Sequence, residues 1–292
     1  MVPVLMGSGL SWADETQPPA IAQIQKAAET GAAEGQFQLG RAYLRGEGVP
    51  KDPKKAFELM KSAADQGYAE AIGGMGYFYS VGVAVPKDDN LAMEWFRKGA
   101  EKGSAKAQLN LGKVLLAKAG AASADAVRQE GLEWTRKAAD QGLTEAELSY
   151  GSMLYFGDRG VAKNEAEAAD YLKRAAEAGD PNAQNMLGTM LEQGMGIPRD
   201  KAAAEQWFRK AALQGQVKAQ SSLGRTLWSD LAAKEIRIEA LAWFLIASGQ
   251  GEITARKQLE DYTPGLKPGE LDAANAKAAE LKKLVVKKRP SI

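Results

Sequence analysis

Side chains that commonly carry enzymatic chemistry are scarce in this sequence. Its 292 residues include no histidine and no cysteine, which excludes a Ser-His-Asp triad, a thiol nucleophile and a histidine or thiolate metal site. Gly112-Lys113 is followed by Val114, so it does not form a phosphate-binding loop. The adjacent carboxylates Asp88 and Asp89 lie in a link between predicted helices, where helix capping is their expected role. Carboxylate-based or lysine-based catalysis stays open.

The charge balance and the composition limit the classes of partner that the chain can bind. The chain has 38 basic and 37 acidic side chains, whereas a nucleic-acid surface usually shows a basic excess. We therefore predict no nucleic-acid partner, and also no catalytic residue, no metal and no cofactor. No run of 18 apolar residues occurs, so we expect no transmembrane segment. Abundant alanine and few aromatic residues favour helix over sheet.

The elements that would position any site are repeated along the chain. Glycines that follow an alanine-rich basic segment recur every 36 to 39 residues. They are Gly31, Gly67, Gly103, Gly142, Gly179, Gly215 and Gly251. Self-similarity at such a period is typical of stacked helical repeats, in which each unit is too small to bury its apolar face alone.

Each unit is predicted to be a pair of helices. In the first unit, Asp52 is placed to cap the second helix, Pro53 suits its first position, and Gly67 suits the left-handed stop that follows it. The first helices contain a glycine where alanine would be better by about 1 kcal/mol. We interpret these glycines as places where a neighbouring helix approaches closely; they are Gly40, Gly76, Gly112, Gly151, Gly188 and Gly224.

A third set of positions holds large side chains in the second helices. Four of the six tryptophans fall in this register, and we predict that the set forms the structural core of the stack. Its members are Leu59, Trp95, Trp134, Tyr171, Trp207 and Trp243. On this interpretation, replacing Trp207 by alanine should cost about 3–5 kcal/mol.

The combined pattern, A-x-A-Q-x-x-L-G-x-x-Y-x-x-G-x-G-V-x-x-D-x-x-x-A-x-x-W-x-x-K-A-A-x-x-G, resembles the Sel-one-like repeat (SLR) family, a relative of the tetratricopeptide repeat. The resemblance covers about Ala32 to Gly251 and is strongest in the fifth unit, from Ala183 to Gly215. It implies an all-α, right-handed α-α superhelix (a solenoid) of about six helix-turn-helix repeats with N- and C-terminal capping helices. It also implies an interaction scaffold, because most members of the family have that role.

The ends of the chain depart from the repeat. We predict an export-signal remnant or a disordered leader at 1–18, the solenoid at 19–251, C-terminal capping helices at 252–286 and a basic tail at 287–292. Ser11-Trp12-Ala13 before Asp14 suits signal-peptide cleavage, although no basic residue precedes the apolar run. This favours a periplasmic or secreted protein, with a cytoplasmic one as the alternative.

The binding surface is predicted from the positions of the first helices that the core columns leave free, which line the concave side of such a stack. The binding stripe consists of Arg41, Arg45, Tyr77, Asn110, Lys113, Phe156, Met186, Gln193 and Arg225, with further members at Gln38, Val81, Ser149, Ser152, Thr189, Ser222 and Ser229. Amides, hydroxyls and isolated apolar groups suit an extended peptide or a glycan strand. Tyr77 and Phe156 are the expected anchors.

Two functions follow from this pattern. The first is a non-catalytic scaffold that binds a protein or peptide partner, or a cell-wall glycan, in a bacterial envelope, or a cytosolic adaptor with the same groove. The alternative is a carboxylate-dependent cell-wall hydrolase, which would need two acids about 5–10 Å apart across the groove. The sequence identifies neither the partner nor the oligomeric state.

Overall fold

The computed structural model describes residues 21–119, 125–228 and 233–285. Within these ranges the chain is an all-α solenoid without strands, as the sequence predicts. The helices are α1 (Ile21–Glu29), α2 (Ala33–Arg45), α3 (Pro53–Asp65), α4 (Ala69–Val81), α5 (Asp89–Glu101), α6 (Ala105–Ala119), α7 (Asp125–Asp140), α8 (Thr144–Phe156), α9 (Glu165–Glu177), α10 (Pro181–Gln193), α11 (Lys201–Leu213), α12 (Val217–Leu227), α13 (Lys234–Ser248), α14 (Ile253–Tyr262) and α15 (Glu270–Leu284), with a 3-10 turn at Thr263–Gly265. The expected leader and basic tail lie outside the described residues.

The chain divides into two compact units, 1–95 and 96–292, with the boundary inside α5. In unit 1, α1 to α4 pack in chain order around Met60, Met75 and Phe78. In unit 2, α6 to α13 also pack in chain order, and α13 contacts both α14 and α15. An ion pair between Arg237 and the buried Glu270 joins α13 to α15.

Local signals set the helix ends as predicted. Asp52 accepts hydrogen bonds from the backbone N–H groups of Lys54 and Lys55, both at 3.1 Å, at the start of α3. Gly46 ends α2 with φ of 74°, in the left-handed region that glycine adopts without steric cost. Side-chain caps recur at the start of other second helices, at Asp88, Asn164 and Asp200, so short-range contacts encode much of the helix pair.

Close helix approach at the mid-helix glycines is confirmed. A Cβ at Gly188 would lie 2.7 Å from Cε1 of Phe208, and one at Gly224 would lie 2.7 Å from Cε1 of Phe244. Both distances are well below ordinary carbon contacts of about 3.5–4.0 Å. Each glycine thus makes room for a ring on the second helix of the same pair.

The core register differs from the prediction by one residue. Tyr171 and Trp243 of the predicted core are buried, but Leu59, Trp95, Trp134 and Trp207 are only half-buried. The column that is buried in every pair follows directly after it in sequence: Met60, Phe96, Thr135, Leu172, Phe208 and Phe244. Successive residues on an α-helix differ by about 100° in direction, so the burial of the first residue depends on how its helix is rotated. Both residues are buried only at Tyr171–Leu172 and Trp243–Phe244.

Two of the half-buried tryptophans have charged neighbours at the edge of the core. The Nε1 of Trp134 donates to Glu130 at 3.3 Å, and the ammonium of Lys137 lies 4.2 Å from the centre of its ring. Lys210 lies in the same way over Trp207, at 4.1 Å. Their rings thus cover the edge of the core and present one side to cations.

A ladder of buried glutamines joins neighbouring pairs in unit 2. Each glutamine donates to the backbone carbonyl eight residues earlier: Gln108 to Ala100 at 3.2 Å, Gln184 to Ala176 at 3.1 Å and Gln220 to Ala212 at 3.2 Å. Each also accepts from the glutamine that closes its own pair: Gln141, Gln214 and Gln250, at 2.7, 2.9 and 2.7 Å. These bonds satisfy carbonyls at helix ends that would otherwise be buried without partners.

Candidate functional site

The predicted stripe residues of unit 1 lie on α2 and α4. Arg41 is half-buried, lies over the Phe37 ring at 5.7 Å and donates to Gln38 at 3.2 Å. Burial and the nearby charge of Arg45 lower the pKa of Arg41 from its ordinary value. Tyr77 is exposed, with 37% of its surface accessible. Arg41 is thus held by its own helix, whereas Tyr77 is available to a partner.

In unit 2, the predicted binding residue Lys113 on α6 already forms an ion pair within the chain. Lys113 and Lys106 both contact the carboxylate of Glu145 on α8. Burial alone would raise the pKa of Glu145, but the hydrogen bonds from the two lysines outweigh it and lower the pKa below the usual value. Lys113 therefore stabilises the packing of α6 against α8, and Asn110 beside it is half-buried.

Phe156 is the most exposed of the predicted aromatic anchors. It is the last residue of α8, and 67% of its surface is accessible. Its ring meets Tyr155 edge-on, with centroids 4.8 Å apart, and the Tyr155 hydroxyl lies 3.4 Å from the sulfur of Met195. Phe156 therefore contacts Tyr155 on one side, and most of its surface is open to solvent.

The next helix, α10, contributes a half-buried and an exposed side chain. Met186 is half-buried, with its sulfur 3.4 Å from the hydroxyl of Ser152 on α8, and Gln193 is exposed. Glu192 on α10 pairs with Arg225 on α12 at 2.8 Å and accepts from the Thr226 hydroxyl at 3.2 Å. Polar contacts therefore bridge neighbouring first helices on this face.

A cavity of about 240 Å³ opens between α10, α12 and α14. Its lining is polar and comprises Asn185, Lys218, Ser221, Ser222, Arg225, Glu252, Thr254 and Gln258. Glu252 caps α14 by accepting from the Ala255 N–H at 2.5 Å. Burial acts to raise the pKa of Glu252, but hydrogen bonds from Ala255 and Thr254 lower it overall, so this wall of the cavity carries a negative charge at neutral pH.

Sequence reasoning found Ser222 and Arg225 of this cavity but missed its α14 wall. The repeat pattern decays after Gly251, since Glu260 stands where the mid-helix glycine would be. Two positions still continue it: Ala255 lies 36 residues after Ala219 and Leu259 lies 36 after Leu223. Those spacings are the signal that identifies α14 as the first helix of a seventh unit.

Three acids on the first-helix face of unit 2 have structural partners. Glu145 and Glu192 are paired with cations, and Glu252 caps a helix. In the described ranges there is no cluster of three or more acids that could hold a metal, and no helix is long and apolar enough to cross a membrane. The arrangement offers hydrogen bonds and charge to a ligand.

A sequence model of the Sel1 repeat matches residues 33–68, 69–104, 105–143, 144–180 and 181–216. The chain belongs to the Sel1 repeat family. Proteins of this family are generally scaffolds for protein interactions. No curated protein matches the chain.

One solved structure shows the same fold, and two others are similar at lower TM-scores. A Sel1 repeat protein from Oxalobacter formigenes is 26% identical, with a TM-score of 0.59, over 79% of this chain and 97% of that one. A protective antigen present in uropathogenic Escherichia coli strains is 24% identical, with a TM-score of 0.40, over 93% and 75%. An immunity protein from Pseudomonas aeruginosa is 16% identical, with a TM-score of 0.44, over 76% and 84%.

The five Sel1 repeats correspond to the helix pairs from α2–α3 to α10–α11. The pair α12–α13 lies beyond the matched residues but repeats their geometry, since Gly224 meets Phe244 as Gly188 meets Phe208. The cavity therefore lies where the fifth Sel1 repeat meets this sixth pair and α14. The family model matches the chain only up to residue 216, so most residues that line the cavity lie beyond the matched part.

Proposed function

We propose that this Sel1 repeat protein is a non-catalytic scaffold that binds an extended segment of a protein partner along its first helices. The observation that carries the proposal is Phe156, an aromatic side chain that is 67% exposed at the end of a first helix. An exposed aromatic ring that already contacts a neighbouring ring loses little conformational freedom on binding, which makes it a good anchor.

The surrounding charges support a binding role. Lys113 and Arg225 are neutralised by acids of the neighbouring repeat, so the face carries hydrogen-bonding groups without a strong field of one sign. Such a surface suits the alternating donors and acceptors of a peptide backbone. Glu145 and Glu192 are held in ion pairs, which speaks against their use as a catalytic acid and base.

The location forms part of the same proposal. We place the protein in a bacterial envelope, in the periplasm or secreted, on the basis of the Ser11-Trp12-Ala13/Asp14 junction, which lies outside the described residues. Mass spectrometry of the native protein tests this. A mature chain that starts at Asp14 is the expected result, and one that retains Met1 favours a cytosolic adaptor instead.

A photocrosslinking amino acid placed at position 156 tests the binding surface directly. The matched control carries the same group at Lys173 on α9, whose side chain is 63% exposed and belongs to a second helix. In the source organism, we expect a discrete protein adduct from position 156 and none from position 173. Adducts from position 173 alone would contradict the proposal.

The partner identified in this way provides a quantitative test. Phe156→Ala should weaken its affinity at least tenfold, since central aromatic anchors typically contribute 2 kcal/mol or more. Because the ring is mostly exposed, the midpoint of thermal unfolding should stay within about 2 °C of the parent. Unchanged affinity in a folded variant would show that Phe156 is not the anchor.

A further inference from the structure

We propose that the cavity between α10, α12 and α14 binds an acidic side chain of a peptide segment, so that it serves as a charge-reading subsite of the proposed partner surface. This inference rests on the proposed function. It adds a chemical requirement for the partner, namely a glutamate or aspartate in an extended segment. The evidence comes from the order of side chains on α12, the free groups they present and the opposite wall.

One wall of the cavity is a row of donors along α12. Lys218, Ser221, Ser222 and Arg225 all line it. Lys218 and Arg225 are seven residues apart, which on an α-helix is about two turns, or about 10.5 Å, on the same face. The two hydroxyls lie between the cations. A carboxylate entering this row meets the ammonium of Lys218, the hydroxyl of Ser222 and the N–H groups of Arg225 that Glu192 does not use, whereas the Ser221 hydroxyl already donates to Gln258 at 3.4 Å.

Both cations keep donors for a ligand. Among the described residues, Lys218 has no acidic side chain within ion-pair distance. Arg225 uses Nη2 to hold Glu192 at 2.8 Å, and a guanidinium has further N–H groups in a planar fork that fits a carboxylate. The contact with Glu192 also fixes the direction of the Arg225 side chain, so less freedom is lost when a second carboxylate binds.

The two cavity walls that face α12 provide hydrogen-bond acceptors. Asn185 on α10 lines the cavity, and its Oδ1 is shielded from solvent without a hydrogen-bond partner. A buried acceptor without a partner is unfavourable, so a rotation of the Asn185 side chain that brings it to an incoming N–H group is favoured. On α14, Glu252 presents a second acceptor and repels anions from that side. A ligand with a carboxylate toward α12 and amide N–H groups toward α10 and α14 matches all three walls.

These features favour a peptide over two other ligands. The lining contains no aromatic ring on which a sugar could stack. Free phosphate at neutral pH is a mixture of the monoanion and the dianion, and the negative charge of Glu252 opposes it on one side of a small space. An acidic residue within a peptide carries a single negative charge, and its main chain supplies the N–H groups that Asn185 and Glu252 accept.

Fluorescence anisotropy with a fluorescein-labelled peptide, Ala-Ala-Glu-Ala-Glu-Ala-Ala with blocked ends, tests the subsite on the full chain. A matched peptide with glutamine at both glutamate positions is the comparison. We expect the glutamate peptide to bind at least tenfold more tightly at low salt, and the difference to shrink as salt is added. Equal binding of the two peptides overturns the proposal.

Substitutions of single cations test whether the glutamate peptide binds in this cavity. Lys218→Gln and Arg225→Gln should each weaken the glutamate peptide about fivefold or more, whereas Lys201→Gln, an exposed cation on the second helix α11, should leave it unchanged. Lys218 has no acidic partner to lose, so its variant remains folded and interpretable even if Arg225→Gln is destabilised. Full affinity in Lys218→Gln and in a folded Arg225→Gln overturns the subsite.

Competing ligands test whether the cavity binds a peptide, a free anion or a glycan. Inorganic phosphate or chitotetraose that displaces the labelled peptide at equal concentration would show an anion or glycan site instead and overturn the peptide assignment. The crosslink at position 156 is independent of this cavity. If that crosslink forms while the acidic peptide fails to bind, the scaffold function stands and only the subsite is refuted; if neither occurs, both are refuted.

Discussion

The contact between Gly188 and Phe208 allows a sharp test of how the helix pairs are built. In an isolated helix, Gly188→Ala would be favourable by about 1 kcal/mol because alanine is the better helix former. In this structure the new Cβ would lie 2.7 and 2.8 Å from Cε1 and Cδ1 of the Phe208 ring. We therefore expect the substitution to destabilise the protein.

The magnitude follows from the space around the ring. Phe208 is fully buried, with 0% of its surface exposed, so it cannot move aside by the roughly 1 Å that an ordinary contact requires. Overpacking of this kind costs about 1–3 kcal/mol. After subtraction of the helix-propensity gain of about 1 kcal/mol, Gly188→Ala should lower the free energy of unfolding by up to about 2 kcal/mol.

A double-mutant cycle isolates this contact. With Phe208→Ala in place the clash is removed, so Gly188→Ala should now stabilise the protein by about 1 kcal/mol. Urea unfolding followed by circular dichroism at 222 nm on the four proteins gives the coupling, expected at about 1–3 kcal/mol. A Gly188→Ala effect of the same sign and size in both backgrounds would refute the close-approach explanation of these glycines.

Two further substitutions test the corrected core and a buried acid. Phe208→Ala should cost about 3–5 kcal/mol of unfolding free energy but Trp207→Ala only about 1–2, because Trp207 is half-buried; equal costs in urea unfolding would restore the predicted tryptophan core. Glu147 occupies the glutamine-ladder position of its repeat, is 3% exposed and pairs with Arg174 at 3.0 Å. Burial, only partly offset by Arg174, raises the pKa of Glu147 above its ordinary value of 4.5. The folded chain thus binds this proton more tightly than the unfolded one, so the stabilisation is present below pH 4.5 and is lost as pH rises through the folded pKa. Glu147→Gln, which supplies the ladder amide, should be more stable than the parent by about 1 kcal/mol at pH 7, with the difference shrinking toward pH 4; urea midpoints that differ equally at both pH values would contradict this.

Much of the fold follows from local signals. The cap at Asp52 and the stop at Gly46 act within a few residues, so their spacing alone predicts the helix pair. The mid-helix Gly188 has a long-range cause, but its propensity cost and its recurrence made the close approach predictable.

The candidate site was predictable only in part. Exposure of Phe156 follows from the helical register, since core columns leave that face free. The pairing of Lys113 with Glu145 and of Arg225 with Glu192 does not, because the partners lie 32 and 33 residues apart and meet only when neighbouring first helices stack. Those ion pairs make Lys113 and Arg225 contacts between repeats, and Arg225 keeps further N–H groups for a ligand.

The sequence by itself determined the repeat period, the helix ends and the positions that must be glycine, because each depends on backbone geometry that short segments specify. Tertiary structure decided which of two adjacent large residues, Trp207 or Phe208, fills the core, since that depends on how each helix is rotated against its neighbours. It also decided that α14 closes a polar cavity with α10 and α12, because three helices far apart in sequence meet there only after the chain has stacked.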